Sequence, residues 1–412
     1  MEENVYIASS GFVYRKSMLN LTDHANKCQQ FFQHIKDGCK FYIRADNSIS
    51  ENNEENYLSC SLVTEEILDY DVEMLSLQDP EELLYKYRPY FVSFLLPSRE
   101  NGSNCLQLLG ERWLEGYFVE ETFTPDVAGN NEEVVLLEGL LELAASPVNT
   151  IKRRALVFTN KSISPMILNK IKQTYNTQNI SCVSNGIIEA ELNNAWRNDF
   201  PDTIDIYNIG HGNADYIRGI GHRRILYDIG YDRPNIPAAS YPRYNRAVNA
   251  LRHIRPDCVI LSHWDLDHII GCAYAEQALF SVKWIVPAFL HSKPLINQSR
   301  LANYLDHLGN LIFVDRNQNT NPIATIHCQR DVKITLWLGN GKDSKITLEN
   351  KTGLFLNIEG GRYSHVLLAG DVPYRCMGAL LGQNKVVQFM HVPHHGSSMG
   401  YQPLTKFPQT RQ

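Results

Sequence analysis

Four ionisable side chains lie close together in the segment SHWDLDH: His263, Asp265, Asp267 and His268. They directly follow the apolar run CVIL, which has the composition of a buried strand. In an extended chain every second residue projects to the same side, so His263 and Asp265 can face one cation while Asp267 and His268 face another. A structural histidine or an aspartate helix cap explains any one of them, but a strand end does not need four groups that are costly to desolvate. The spacing therefore predicts two adjacent metal ions.

Two later segments repeat this arrangement. Asp371 ends the apolar segment SHVLLAGD, and His391, His394 and His395 follow the apolar run VVQFM. A carboxylate held at a strand end is suited to bridging two cations, and a further imidazole can complete the ligand set of the second ion. These residues extend the predicted metal centre beyond SHWDLDH.

The order of the polar segments resembles that of the metallo-β-lactamase superfamily, and most of all its ComEC-type branch, which is associated with DNA uptake. The matching pieces are NIGHGNADYI, ILYDIG, SHWDLDHIIG, ENKTGLFLNI, LLAGD and HVPHHGSS. They lie between residues 203 and 400, and their combination in this order is specific although each piece alone is weak. The resemblance implies an α/β fold, the metallo-β-lactamase αββα sandwich, in the C-terminal half.

The resemblance also implies a role for each matching residue. One divalent ion, zinc or manganese, would be bound by His263 and Asp265, a second by Asp267 and His268, and Asp371 would bridge them. A hydroxide held between the two ions would be the nucleophile. His394 or His395 would complete the second site, and Asp228 would orient a ligand. His211 and His391 would lie just outside the ligand set. The residues that would take part in catalysis are Asp267, His394 and His395.

The sequence departs from the family pattern in four ways. Asp265 stands where the superfamily commonly has a second histidine. In the opening turn, His211 and Asn213 stand where the family often has glutamine and aspartate. Few residues follow HHGSS, whereas the branch usually continues through further strands, so we expect a domain that is short at its C-terminus. The family histidine between the HxDxDH and GD segments has no clear match; the candidates by position are His291, His307 and His327.

The segments around these residues predict the elements that must position them. Strand-like and helical segments alternate from about residue 203, which predicts a layered α/β domain over 203–412. Residues 1–200 are expected to form a separate α/β or α+β domain of unknown role, with a strand, a helix and a strand near 154–184. Ser164 can cap that helix, with Pro165 in its first turn. A chain of 412 residues is longer than one core usually supports, which also favours two domains.

The composition and net charge make some classes of function less favoured than others. The formal net charge of −6 gives no global basic field, which weakens nonspecific nucleic-acid binding as the main role. No apolar run is long enough to span a membrane, and the first residues do not resemble a secretory signal, so a cytoplasmic location is expected. The nine cysteines are scattered without a CxxC pair, which is typical of reduced thiols.

These observations predict a metal-dependent hydrolase, with a phosphodiester as the preferred substrate and therefore a phosphodiesterase or a nuclease. One alternative is a hydrolase of the same fold that acts on an ester, a lactone or a thioester. Another is a non-catalytic regulatory or scaffolding protein with an incomplete metal site. The N-terminal region is expected to recognise a substrate, a partner protein or a nucleic acid, and the sequence does not choose among them. One hypothesis is that the chain is a component of a bacterial multi-protein system such as antiviral defence. Side chains that could contact phosphates are Arg218, Arg223, Arg224, Lys351 and Arg362.

Overall fold

The structure is a computed structural model, and it describes a defined part of the chain. The described residues are 5–7, 13–15, 40–45, 57–89, 91–97, 112–119, 135–144, 151–196, 199–207, 209, 212–230, 250–251, 253–273, 275–289, 296–317, 322–341, 348–361, 363–377, 380 and 388–391.

Strands and helices alternate through the described residues, and we number each in chain order. The strands are β1 (Val5–Ile7), β2 (Val13–Arg15), β3 (Lys40–Ala45), β4 (Tyr57–Thr64), β5 (Phe91–Pro97), β6 (Leu114–Val119), β7 (Val135–Ala144), β8 (Ile151–Ser162), β9 (Cys182–Val183), β10 (Pro201–Ile206), β11 (Asp215–Gly219), β12 (Arg224–Tyr227), β13 (Cys258–Ile260), β14 (Lys283–Pro287), β15 (Leu311–Val314), β16 (Ala324–His327), β17 (Lys333–Leu338), β18 (Leu354–Gly360), β19 (Tyr363–Leu368) and β20 (Phe389–Met390). The α-helices are α1 (Glu65–Ser76), α2 (Pro80–Lys86), α3 (Pro165–Thr174), α4 (Asn185–Trp196), α5 (Leu266–Ile269), α6 (Ile296–His307) and α7 (Leu348–Lys351). None of these helices has the length and apolar character needed to cross a lipid bilayer.

The described residues group into two compact units. Unit 1 holds those of Met1–Thr177 together with Lys293–His307. Unit 2 holds those of Gln178–Arg233, Pro237–Ser292 and Leu308–Gln412. Helix α6 therefore belongs to unit 1 although the strands before and after it belong to unit 2. The domain limits of 1–200 and 203–412 stay a prediction, and β9 and α4 lie in unit 2 although both precede residue 203.

Unit 2 contains two sheets that share one hydrophobic core. The first has seven strands in the order β10-β11-β12-β13-β14-β15-β9, and the second has five in the order β16-β17-β18-β19-β20. Buried side chains of both sheets, such as Ile260 of β13 and Leu356 of β18, belong to a single core cluster. Helix α4 packs against β12, β15 and β16. The mixed α/β class with two layered sheets, expected for the C-terminal half, is confirmed.

Unit 1 contains a six-stranded antiparallel sheet that closes on itself in the order β3-β4-β5-β7-β8-β6. Closure follows because β3 pairs with both β4 and β6. Helix α1 packs against β4, α3 and α6. The predicted helix is confirmed as α3: Ser164 is its N-cap, with the side chain accepting a hydrogen bond from the Ile167 amide, and Pro165 is its first residue. The strand expected after that helix is β9, which pairs with β15 in unit 2.

A buried ion pair joins the helices of unit 1. Arg300 of α6 donates from Nε to both carboxylate oxygens of Asp71 of α1, at 3.0 and 2.9 Å. Tyr175, directly after α3, donates its hydroxyl to the same carboxylate. Asn297 accepts a hydrogen bond of 3.1 Å from Arg300. All four side chains are buried. Because burying an ion costs several kcal/mol that only close partners offset, the packing of α1, α3 and α6 depends on this network.

We expect Arg300→Ala to lower the free energy of unfolding by about 3 to 5 kcal/mol, because the substitution leaves the Asp71 carboxylate buried without its cation. Urea denaturation measures this free energy. The matched control is Lys86→Ala, which removes the exposed ion pair with Glu82 and should have no measurable effect. The double substitution Asp71→Leu with Arg300→Met should recover most of the loss, because it removes both charges. Equal results for Arg300→Ala and Lys86→Ala would contradict this role for the network.

Candidate metal centre

The predicted site residues meet at one edge of the two sheets of unit 2. Strands β12 and β13 are parallel, so their carboxyl ends bring Asp228 and Ser262 to the same edge of the first sheet. Asp371 follows β19 in the second sheet. The sheets are linked at this edge, because the Leu354 amide donates to the Ser262 carbonyl at 2.8 Å and the Tyr227 hydroxyl donates to the Leu354 carbonyl at 2.9 Å.

His263, His268 and Asp371 form a buried cluster at this edge. One ligand atom from each lies within 4.8 Å of the others. Oδ2 of Asp371 is 3.6 Å from Nε2 of His263, and Oδ1 of Asp371 is 3.3 Å from Nε2 of His268. The carboxylate therefore turns one oxygen toward each imidazole. This orientation suits a group that bridges two cations.

Asp265 and Asp267 add one carboxylate to each histidine. Oδ2 of Asp265 lies 3.3 Å from Nε2 of His263, and Oδ2 of Asp267 lies 3.9 Å from Nε2 of His268. The side chain of Asp265 is 51% exposed and that of Asp267 is 16% exposed, whereas both histidines are buried. The structure thus brings together the two pairs that were assigned to separate ions from the sequence. That each pair binds an ion stays a prediction.

Asp228 orients the buried end of the cluster. It adopts a left-handed backbone conformation with φ of 57° and is fully buried. Its carboxylate accepts hydrogen bonds from the Ser262 amide at 2.6 Å, the Ser262 hydroxyl at 2.7 Å and Nδ1 of His268 at 2.9 Å. Because Nδ1 of His268 is held by this carboxylate, Nε2 is the nitrogen left to face Asp371. A carboxylate behind an imidazole in this way is the usual arrangement around metal-binding histidines.

The charges within the cluster shift one another's protonation. Burial and the neighbouring His268 lower the pKa of His263, but the carboxylates of Asp265 and Asp371 outweigh both effects and raise it. Burial also lowers the pKa of His268, whereas Asp371, Asp228 and Asp267 raise it well above its usual value. Burial raises the pKa of Asp371, but the two histidines reduce it to about 2. The neighbouring carboxylates therefore favour positive charge on or beside the two imidazoles, whether from a proton or from a metal ion.

This donor set fits divalent cations. His263 Nε2 is buried and has no hydrogen-bond partner among the described residues, yet it lies within 3.6 Å of two carboxylates. Imidazole nitrogens and carboxylate oxygens are ligands for zinc and for manganese. Together with His268 and Asp267, these groups offer three carboxylates and two imidazoles. A bound ion would give buried Nε2 of His263 the partner that it lacks among the described residues.

Two glycines allow the chain to pack closely around the cluster. A Cβ on Gly230 would lie 2.0 Å from the carbonyl oxygen of Asp267. A Cβ on Gly370, which has φ of 52°, would lie 2.5 Å from the Cβ of Ser262. A side chain at either position would displace the backbone that carries Asp267 or Asp371. The spacing of the ligands therefore depends on these two positions.

Two residues of the site were not singled out from the sequence. The Ser262 hydroxyl lies 3.0 Å from Nδ1 of His263 and donates to Asp228, so it connects the two halves of the cluster. Asn350 donates from Nδ2 to Oδ2 of Asp371 at 3.4 Å. Ser262 opens SHWDLDH and Asn350 lies in ENKTG, so both occur in segments that were quoted for the resemblance. Their roles could not be assigned because each depends on a partner that is distant in the sequence.

His391, expected just outside the ligand set, pairs with a buried carboxylate. Its Nδ1 lies 2.9 Å from Oδ2 of Asp215, the first residue of β11. Burial raises the pKa of the Asp215 carboxyl, with partial compensation from His391. Burial lowers the pKa of His391, but the hydrogen bond to Asp215 outweighs it and raises this pKa. Asp215 was not identified from the sequence, because an aspartate at the start of a strand is common on protein surfaces.

Several predicted residues are elsewhere or are not described. His211, His291, Arg362, His394 and His395 lie outside the described residues. His307 is on α6 in unit 1, and His327 is exposed on β16, so neither belongs to the cluster among the residues that the structure describes.

The three described arginines among the proposed phosphate contacts, Arg218, Arg223 and Arg224, do not line this edge. Arg218 pairs with Asp205 at 2.8 Å, and Arg223 pairs with Asp257 at 3.1 Å. Arg224 begins β12, at the end opposite to Asp228. These side chains therefore lie toward the other edge of the first sheet. Lys351, in contrast, is adjacent in sequence to Asn350, which contacts Asp371.

Comparisons with known proteins give weak similarity. No protein-family description matches the chain, and no curated protein matches it. Among solved structures, the chain is similar to a candidate metallo-β-lactamase from Thermotoga maritima, with 14% identity, a TM-score of 0.31, and coverage of 47% of this chain and 97% of that one. It is similar to a diphosphatase of the PhnP family, with 11% identity, a TM-score of 0.25, and coverage of 43% and 58%. It is also similar to an N-acyl homoserine lactone hydrolase with product bound at its catalytic metal centre, with 18% identity, a TM-score of 0.23, and coverage of 39% and 62%.

The chain spans less than two thirds of the length of the diphosphatase and of the lactone hydrolase. At these TM-scores the similarities carry no argument about the activity of this chain. What the site can do is therefore judged from its own residues.

We expect Asp228→Asn to weaken Mn²⁺ or Zn²⁺ binding by about 10- to 100-fold, the usual effect of losing a carboxylate behind a metal-binding histidine. Asparagine keeps the size of the side chain and tolerates the left-handed backbone, but its amide has one acceptor oxygen where the carboxylate has two. Isothermal titration calorimetry measures the affinity. The matched control is Asp257→Asn, since Asp257 accepts a hydrogen bond from the Arg224 amide at the far end of β12. Equal metal affinity in Asp228→Asn and wild type would refute the orienting role.

Proposed function

We propose that this chain is a metal-dependent hydrolase that cleaves phosphodiesters with two divalent cations, manganese or zinc. The observation that carries the proposal is the position of Asp371 between two imidazole–carboxylate pairs. One of its oxygens faces His263, which has Asp265 beside it, and the other faces His268, which has Asp267 beside it. Such symmetry about one buried carboxylate is what a two-ion site requires.

The chemistry of the donors supports an oxygen-rich centre. Three carboxylates and two imidazoles converge on the cluster, and an oxygen-rich ligand set suits manganese as well as zinc. Two divalent cations held by His263, Asp265, Asp267, His268 and Asp371 would supply Lewis-acid stabilisation for phosphoryl transfer. An acyl substrate can use the same two ions, so the preference for a phosphodiester rests on the oxygen-rich ligand set and on the order of the motifs.

The side chains around the cluster have separate roles in positioning the ligands and in proton transfer. Asp371 sets the separation of the two ligand pairs, and Asp228 fixes the ring of His268 through Nδ1. Asp267 is partly exposed, so a substrate can reach its carboxylate, which can accept or return a proton during the reaction. His394 and His395 are proposed for the remaining ligand position and for proton donation to the leaving oxygen.

The family branch, the kind of phosphodiester and the role of unit 1 form part of the same proposal. The ComEC-type branch, with a nucleic acid as the phosphodiester, is supported by the order of the motifs and by Asp265 in the place of the second histidine. Unit 1 is proposed to recognise a protein partner or the substrate, in a bacterial multi-protein system such as antiviral defence. The support for this last step is the presence of a second compact unit whose residues make no contribution to the described metal cluster.

We expect protein purified without added metal to contain about two manganese or zinc ions per chain. Asp371→Ala and His268→Ala should each lose metal, because they remove the bridging group and a ligand. Elemental analysis measures the content. Asp205→Asn, which breaks an ion pair with Arg218 away from the site, should keep both ions and serves as the matched control.

Activity is then compared on bis(p-nitrophenyl) phosphate and single-stranded DNA, and on a carboxylic ester, a lactone and a thioester. We expect metal-dependent turnover of the phosphodiesters, which falls to background in Asp371→Ala. Turnover of the acyl substrates alone would replace the phosphodiesterase with an acyl hydrolase of the same fold. Wild-type protein that neither contains nor takes up metal would overturn the hydrolase proposal and favour a regulatory or scaffolding role.

A further inference from the structure

Asn350, the third residue of α7, lies against the carboxylate between the two histidines of the cluster. The residue is buried, with 5% of its surface exposed. Its Nδ2 lies 3.4 Å from Oδ2 of Asp371. This oxygen faces His263, whereas the other oxygen of the carboxylate faces His268. The amide therefore belongs to one half of the cluster, the half that also contains Asp265.

The distances in this half of the cluster match the spacing of atoms that share one cation. Ligands about 2.1 Å from a tetrahedral ion lie about 3.4 Å from one another. Nε2 of His263 is 3.3 Å from Oδ2 of Asp265 and 3.6 Å from Oδ2 of Asp371. The contact of Asn350 with the same oxygen of Asp371 is 3.4 Å. These three separations link the four side chains in the way expected of ligands to one ion.

The backbone around Asn350 is fixed to the same edge of the first sheet. The Gly353 amide donates to the Asn350 carbonyl at 3.3 Å, and the Leu354 amide donates to the Ser262 carbonyl at 2.8 Å. A Cβ on Gly353 would lie 3.1 Å from that Ser262 oxygen. Because Ser262 immediately precedes His263, the turn that carries Asn350 is anchored one residue away from the imidazole.

A primary amide can face a carboxylate or a cation with different atoms. In the described orientation, Nδ2 of Asn350 donates to Asp371. A half-turn about χ2 exchanges Nδ2 for Oδ1, which is a neutral oxygen ligand. Carbonyl oxygens suit manganese, whereas imidazole nitrogens suit zinc. An amide at this place therefore adds a ligand without adding charge, and it changes which metal the ligand set favours.

We propose that Asn350 is a ligand of the cation held beside His263 and Asp265, and that its amide oxygen narrows the preference of this position for zinc over manganese. This inference rests on the proposed function, since it adds a ligand to the same metal centre. We call the place beside His263 the first position and the place beside His268 and Asp267 the second position. The amide faces the first position alone, so the two positions differ in their preference for metals.

The first test measures binding of Mn²⁺ and, separately, of Zn²⁺ to the full chain by isothermal titration calorimetry. Asn350→Leu removes both polar atoms from a side chain of similar shape. It should bind one ion as wild type does and the other more than about 10-fold more weakly, since even residues behind a ligand contribute that much. Asn350→His should raise the affinity for Zn²⁺ relative to Mn²⁺ about 10-fold at that position, because imidazole suits zinc.

Asn350→Asp separates a ligand from a mere hydrogen-bond donor. An ionised carboxylate accepts but does not donate, so it keeps an oxygen for the cation and loses the hydrogen bond to Asp371. We expect this variant to bind the ion at least as tightly as wild type. If donation to Asp371 were the whole role of Asn350, Asn350→Asp would weaken binding as much as Asn350→Leu does.

Double variants identify which ion depends on Asn350. Asn350→Leu combined with Asp265→Ala should still bind one ion tightly, because both substitutions act on the first position. Asn350→Leu combined with Asp267→Ala should weaken both ions, because the substitutions act on different positions. The reverse pattern would assign Asn350 to the second position and overturn the proposal.

Asn357→Leu is the matched control. Asn357 is a buried amide on β18, and its Nδ2 lies 3.4 Å from Oε2 of Glu359, so it makes the same kind of contact at the same distance. This variant should keep both ions and the wild-type ratio of affinities. If Asn350→Leu proves unstable in urea denaturation, Asn350→Ser takes its place, because its shorter side chain should give the same loss.

Each outcome decides between the two proposals. Wild-type protein that binds two ions, with Asn350→Leu unchanged in stoichiometry and affinity, would overturn the ligand role and leave the hydrolase proposal intact. An equal loss in Asn357→Leu, or an unchanged ratio of Zn²⁺ to Mn²⁺ affinity in Asn350→His, would overturn it as well. Wild-type protein that binds neither metal would overturn both proposals.

Discussion

The three hydrogen bonds accepted by the Asp228 carboxylate hold the candidate metal centre together. They join the end of β12 to the Ser262 backbone, the Ser262 hydroxyl and the His268 ring, which come from the chain after β13. The Ser262 carbonyl in turn accepts a hydrogen bond from the Leu354 amide of the second sheet. One buried carboxylate thus connects both sheets to the ligands, and its left-handed backbone conformation directs it inward.

Buried charge is the second constraint on this edge. Asp215, Asp228 and Asp371 are all buried there, and imidazoles are their nearest described counterparts. The carboxylates raise the pKa of His263 and of His268, so protons and metal ions compete for the same nitrogens. The neighbouring carboxylates therefore favour positive charge at these imidazoles, and that metal ions supply it stays a prediction. Burial of His263, His268 and Asp371 reduces the screening of their mutual interactions by salt.

Local sequence pattern was sufficient for the parts of the structure that depend on neighbouring residues. An apolar run followed by acidic and imidazole side chains predicted a strand end, and β13 and β19 end shortly before those side chains. That these side chains bind metal stays a prediction. Ser164 and Pro165 predicted the start of α3 for the same reason. The roles of Ser262 and Asn350 could not be predicted, because each depends on a partner brought near by the fold.

The way in which the helices and strands are arranged was harder to predict from the sequence, because it also depends on residues that are distant in the chain. The closed sheet of unit 1 depends on the pairing of β3 with β6, which are far apart in the chain and carry no motif. Helix α6 follows segments of unit 2 in the sequence but belongs to unit 1. Its contact with Asp71 through Arg300 depends on residues separated by most of the chain. The local sequence pattern predicts that a helix or strand forms, whereas contacts between residues distant in the chain determine where that element packs.

The course of the chain through α6 limits how the protein can be dissected. The backbone leaves unit 2 after β14, forms α6 within unit 1 and returns to unit 2 at β15. A fragment beginning at residue 178 would retain α6 but lose Asp71 and Tyr175, and the Arg300 guanidinium would have neither of these partners. The two units therefore cannot be separated by a single cut in the chain. Because the last residues of unit 1 end at His307, all of unit 1 has been synthesised before β15 can join the first sheet of unit 2.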